Sequence, residues 1–176
     1  MKRLSGVLFA AGVLLALATV AAGCGDDSDR RAREYFEEIV EIASRHAGGA
    51  EAAQAAYDAV VAANLGEEEE VTAFLRLLDI SSKSIRAEIA DREKVDPPPK
   101  LEEAHLDLLA AARLVAKVYE DGFKSASDAT TDAELEQGLR AVDYGPRLEE
   151  AQGQAEQACT RFQALADEAG IETQVC

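Results

Sequence analysis

Positive charge is scarce in this sequence of 176 residues: 18 Lys and Arg stand against 34 Asp and Glu, for a net charge of −16. A general nucleic-acid binder is excluded, because holding a phosphate backbone takes clustered Lys and Arg. Long apolar runs are scarcer still. One extends from Leu4 to Ala22 and no second follows it, which excludes a polytopic membrane protein. Strand signals are lacking too, with few β-branched runs and no alternating segment that has turn chemistry on both sides. No repeat is evident at the solenoid periods of about 30–45 residues.

Catalytic constellations are equally thin. Two histidines among many exposed acids do not make a triad, and no Gly-x-Ser-x-Gly elbow is present. Gly48-Gly49 lacks both the spacing and the following Lys-Ser/Thr of a phosphate-cradling loop. Asp26-Asp27-Ser28-Asp29 lacks the regular ligand spacing and turn glycine of a calcium loop, and reads as solvated tether. Glu102-x-x-His105 matches half of the di-iron pattern of ferritin-like helices, which needs a second copy. Ala43 stands three residues before His46, so that copy is missing. The chain is read as no enzyme and as carrying no cofactor.

What is present begins with an export segment. Met1-Lys2-Arg3 precedes the apolar run, which ends in the small residues Ala21-Ala22-Gly23 before Cys24. These residues resemble a bacterial lipobox. The resemblance implies a signal peptide over 1–23, cleavage after Gly23, and a diacylglyceryl thioether on Cys24 with a further acyl chain such as palmitate on its amine. Ala21 departs from the Leu most common at that position. An uncleaved anchor is the alternative, and either arrangement tethers the domain to the cell membrane on its extracytoplasmic face. Removal of 1–23 leaves 16 basic residues against 34 acidic ones, a net charge of −18. With Cys24 assigned to lipid, Cys159 and Cys176 remain as an even pair in an exported chain, where disulfides persist. About 16 Å of helix separates Cys159 from Gly170, and the residues from Ile171 to Cys176 span about 20 Å extended. A tail that reverses at Gly170 can therefore return to Cys159.

Residues 24–29 form a short polar tether, and Arg30, Arg31 and Arg33 follow at once. They either meet an anionic leaflet or offset Glu34, Glu37 and Glu38. From residue 30 to 176 the chain reads as one all-α domain. A first helix over about 30–46 carries Phe36, Ile39, Val40, Ala43 and His46 on one face, and Gly48-Gly49 is expected to end or kink it. A second stretch carries Ala53, Ala56, Tyr57, Val60 and Val61 and stops at Asn64-Leu65-Gly66. Glu67 to Glu70 open a long helix with a seam of Val71, Phe74, Leu75, Leu78, Ser82, Ile85 and Ile89. Pro97-Pro98-Pro99 breaks the chain and starts the next, whose seam is Leu101, His105, Leu108, Ala112, Val115, Tyr119 and Gly122. A short helical pattern over 133–142 precedes a last helix from Gly145-Pro146, with Leu148, Ala151, Ala155, Cys159, Phe162, Leu165 or Ala166, and Ala169 inward. These spacings predict an antiparallel, roughly four-helix bundle with a disulfide-stapled C-terminal tail. The proline break followed by His105, together with Cys159 and Cys176 around Gly170-Ile171, resembles helical lipoproteins of high-GC bacteria. That resemblance implies a bundle and a disulfide and carries no activity.

Both histidines fall on apolar seams. A turn near residues 96–97 sets His105 level with Glu88, and a turn near 65–66 sets His46 level with Ile85. His46, Glu88 and His105 are thus a candidate set for Zn²⁺ with an open fourth position, or for a polar layer that fixes register. The rival arrangement is one Glu88–His105 hydrogen bond with His46 near solvent. Functionally the sequence points to a binding or scaffolding module of the cell envelope with a protein partner. A small-ligand or metal-cation sensor is the alternative.

Overall fold

The computed structural model describes residues 27–171, and the all-α expectation holds: these residues form five helices and no strand. They are α1 (Asp27–Ala63), α2 (Glu67–Arg92), α3 (Glu102–Ala126), α4 (Asp132–Ala141) and α5 (Tyr144–Glu168). The expected signal peptide, Cys24 and Cys176 lie outside the described residues, and α1 already begins inside the stretch read as a tether. No helix among the described residues is long and apolar enough to cross a membrane.

Gly48-Gly49 does not end the first helix, contrary to expectation; α1 runs through it for 37 residues. Each interior glycine costs about 1 kcal/mol relative to Ala. Alanine-rich flanks offset this, and so does α2, whose Ser84 hydroxyl donates to the His46 carbonyl at 2.8 Å. The true stop is Asn64, left-handed at φ 49°, followed by Gly66 at φ 137°. Gly66 supplies no side-chain cap to α2, so the four first-turn glutamates are what answer the helix dipole. The prolines do not open α3 directly either. A turn from Leu101 N–H to the Pro98 carbonyl comes first, and the helix starts at Glu102. Thr131 caps α4 by accepting from the Glu134 N–H at 3.3 Å, while the Glu134 carboxylate accepts from the Thr130 N–H at 2.9 Å.

Cross-helix pairs show how the long helices run. Tyr57 meets Phe74, and His46 meets Ser84 and Asp91, so α1 and α2 are antiparallel. Arg86 pairs with Glu120 and Arg113 with Glu93, which makes α2 and α3 antiparallel. Asp107–Arg161 at 3.0 Å and Asp121–Arg147 at 2.8 Å do the same for α3 and α5. Finally, Arg33 Nε donates to the Ala169 carbonyl and Phe36 packs on Phe162, joining the start of α1 to the end of α5.

Four helix ends therefore meet at one level, which we call the base. Its core holds Tyr35, Phe36, Ile39 and Ile42 of α1, Leu108 and Ala111 of α3, and Phe162 and Ala166 of α5, with Val95 and Leu101 from the proline-bearing connection. Burying a side chain such as Phe36 contributes about 2–3 kcal/mol. A smaller cluster of Val71, Leu75 and Ala126, covered by Phe123, Leu135 and Leu139, ties α4 to the other end of α2. Matching levels across the helices places the start of α5 beside Gly122, Gly122 near Ser84, and Ser84 beside Gly49. Beyond Gly49, α1 has only α2 to lean on. About 20 Å of α1 extends there along the start of α2, whose opposite face is covered by the end of α3 and by α4; this stretch of α1 and α2 is called the arm.

Candidate functional site

Two places in the molecule concentrate polar or exposed chemistry, one at the base and one on the arm. At the base, His105 of α3 is buried at 4% exposure because position 105 follows Leu101 on the α3 seam. Its Nδ1 lies 2.7 Å from the Tyr35 hydroxyl of α1, and the two rings meet edge-on. Arg92, the last residue of α2, is also buried; its guanidinium binds Glu88 at 2.6 Å while Nε has no partner among the described residues. Burial, and secondarily the Arg92 charge, lowers the His105 pKa below its ordinary 6.5. Burial raises the Tyr35 pKa, with Arg92 acting weakly against it. A neutral imidazole and a protonated phenol share one hydrogen bond beside a buried cation.

His46 has a different partner. Its Nε2 lies 2.8 Å from the Asp91 carboxylate, which also accepts from Lys94 at 2.6 Å and from Arg45 at 3.4 Å. The Lys94 and His46 contacts hold the Asp91 pKa down at about 2. His46, Glu88 and His105 therefore do not converge. Each binds a separate group, and no cluster of three or more His, Cys, Asp or Glu side chains among the described residues is placed to hold a metal. The rival arrangement, a Glu88–His105 hydrogen bond, is likewise replaced, by Tyr35–His105 and Arg92–Glu88. The physical reason is register. The proline connection is longer than a tight turn, so His105 lies beyond the level of Glu88, at the end of α2. A polar layer exists, but its members are Tyr35, Arg92 and His105 rather than the expected three. Tyr35 lies outside the α1 face that starts at Phe36, and the spacing 35-39-42-46 is its signal in the sequence.

On the arm, a groove of about 330 Å³ opens between the two helices. Ala53, Ala56, Tyr57 and Val60 line one wall, at the i, i+3, i+4, i+7 positions of α1. The facing wall repeats that spacing from Leu65 through Glu68, Glu69, Thr72 and Ala73 to Arg76. The groove is open because the end of α3 and α4 pack on the Val71–Leu75 face of α2, away from α1, and α5 does not reach this level. Leu65 is 59% exposed and Val61 42%, among the most exposed large apolar side chains described. Burial raises the Tyr57 pKa, and the carboxylates of Glu70, Asp58 and Asp132 raise it further.

The charge pattern separates the two places. Ion pairs lace the base and the α2–α3 and α3–α5 seams, whereas none among the described residues involves positions 47–78. Between His46 and Leu75 the sequence has Glu51, Asp58 and Glu67–Glu70 and no Lys or Arg. Comparison with known proteins gives no match to any family model, curated protein or solved structure.

Proposed function

We propose that this chain is a membrane-anchored lipoprotein of the extracytoplasmic face that serves as a binding or scaffolding module of the cell envelope. The open groove on the arm carries the reading: it is a solvent-facing trough between two helices, with Ala53, Ala56, Tyr57 and Val60 on one wall and a charged rim on the other, into which a partner's side chains can pack. The anchor supports it by placement. Cys24 precedes the first residue of α1 by only three positions. A lipid on Cys24 would hold the base at the bilayer, and α1, about 55 Å long, would lift the arm away from it. The reading treats α1, α2, α3 and α5 as an up-down four-helix bundle with α4 as a cover. It includes a Cys159–Cys176 disulfide. Gly170 at φ 75° turns the chain, and the Ile171 N–H returns to the Ala166 carbonyl, so the tail starts back toward Cys159, which is not without a partner. Closing that loop would stabilise by about 3 kcal/mol in the chain-entropy model.

Two measurements test the proposal. Cys24→Ser should move the protein out of the membrane fraction or leave an unprocessed precursor. A photoreactive residue at Ala56, which lines the groove, should give an envelope adduct that the same residue at Glu150, on the outer side of α5, does not. Equal labelling from both positions rejects the groove as the binding face.

A further inference from the structure

We infer that the α1–α2 groove receives an amphipathic helical segment of a partner protein, with an apolar ridge flanked by Lys and Arg. This rests on the binding role proposed above and names the chemistry of the partner. Two helix walls with matching i, i+3, i+4 spacing form a trough into which a third helix packs by its side-chain ridge. Ala53, Ala56 and Ala73 keep the floor shallow, so the bulky groups must come from the occupant. The trough spans about three helical turns, which sets the contacting segment at about ten to twelve residues.

Charge selects the occupant. Glu68 and Glu69 stand on one wall of the groove, and Glu51 and Asp58 are exposed on the helix opposite. No Lys or Arg pairs with any of them among the described residues, whereas Asp79, further along α2, and Glu120 and Asp121 of α3 each hold a Lys. An incoming cationic flank would meet carboxylates that need give up no existing ion pair. The other occupants fit less well. A second copy would set two arms face to face, each with six carboxylates against the one cation of its groove, Arg76. The chain's own last residues start at the base, beside Arg33, about 35 Å from the groove. An anionic bilayer would be repelled, and the proposed anchor sits at the opposite end of α1.

The test uses the full chain in nanodiscs of zwitterionic lipid, with empty discs as the blank. The probes are two labelled synthetic helical peptides of about 18 residues with the same leucine ridge, one with a Lys/Arg polar face and one with a Glu face. Anisotropy should show the basic peptide binding and the acidic one not. Glu68→Gln with Glu69→Gln should weaken binding about five-fold. Glu102→Gln with Glu103→Gln, which removes the same charge from the exposed first turn of α3, should change it less than two-fold. Ala56→Tyr, a substitution at an exposed position that fills the groove, should weaken binding about ten-fold with an unchanged melting temperature. Equal losses from the two charge-matched pairs overturn the inference, because the attraction would then be general. So does an absence of basic-peptide binding above the empty disc at about 1 mM, or sedimentation showing a dimer that Ala56→Tyr dissolves. The Cys24→Ser fractionation reports on anchoring alone, so the anchor and the groove can fail separately.

Discussion

At the base, Phe36 and Phe162 from opposite ends of the sequence meet at 5.2 Å between ring centroids, with no exposed surface on either. On the arm, Tyr57 and Phe74 meet at nearly the same separation, 5.7 Å, and both remain half-exposed. The aromatic geometry is alike and the surroundings are not. Three helices and the proline-bearing connection close around the first pair, and two helices flank the second. Burial depends on how many elements share a level, so one residue class makes a core in one place and a surface in the other.

The largest effect should come from removing the better-enclosed ring. Phe162→Ala should cost about 3–5 kcal/mol by denaturant unfolding, and Phe74→Ala about half of that or less, because solvent already reaches the site. Equal costs would mean that the arm is as well enclosed as the base.

Hydrogen bonding sharpens the contrast next. Tyr35→Phe should cost about 1–3 kcal/mol, since it strands a buried imidazole nitrogen. Tyr57→Phe should stay within about 0.5 kcal/mol.

Acid should then act on the base first. The folded-state pKa of His105 lies below its ordinary 6.5, so the unfolded chain takes up the proton more readily. Its contribution to stability is complete above pH 6.5 and is lost as the pH falls below that value. Asp91, held at about 2, contributes above pH 3.8 and loses its share only as the pH falls toward 2. Melting temperatures from pH 7 to 5 should therefore fall for the native chain and fall less for His105→Gln, which keeps a polar group without the titration. Parallel curves would place the acid sensitivity elsewhere.

The smallest effect tests the boundary between the regions. An added Cβ at Gly48 meets nothing within 4 Å, so Gly48→Ala should stabilise by about 0.5–1 kcal/mol. At Gly122 the same atom would sit 2.6 Å from the Tyr144 ring, and Gly122→Ala should destabilise instead. Thermal melts of the two variants should move in opposite directions.

Much of this architecture was legible in the sequence. The seams of α2, α3 and α5 follow from spacing, and Asn64-Leu65-Gly66 and Glu67–Glu70 mark a stop and a start that the helices obey. What was illegible is relational. Gly48-Gly49 carries a local breaking tendency, and only Ser84 on another helix shows why the helix continues. The proposed meeting of His46, Glu88 and His105 depended on the length that a three-proline connection consumes, which pattern alone does not give. The groove walls were visible as apolar faces, but not that α5 begins too late to cover them.

Both α1 and α2 pass from base to arm without a break, and that continuity makes them a phase-keeping pair. Each residue of a helix turns it by about 100°. One residue inserted in α1 near Gly49 would therefore swing its groove wall a quarter turn away from the facing wall on α2. A matched seven-residue insertion in both helices would restore the angle and raise the groove by about 10 Å. The direction in which the groove looks is thus set by how many residues separate it from the base, counted along two helices at once.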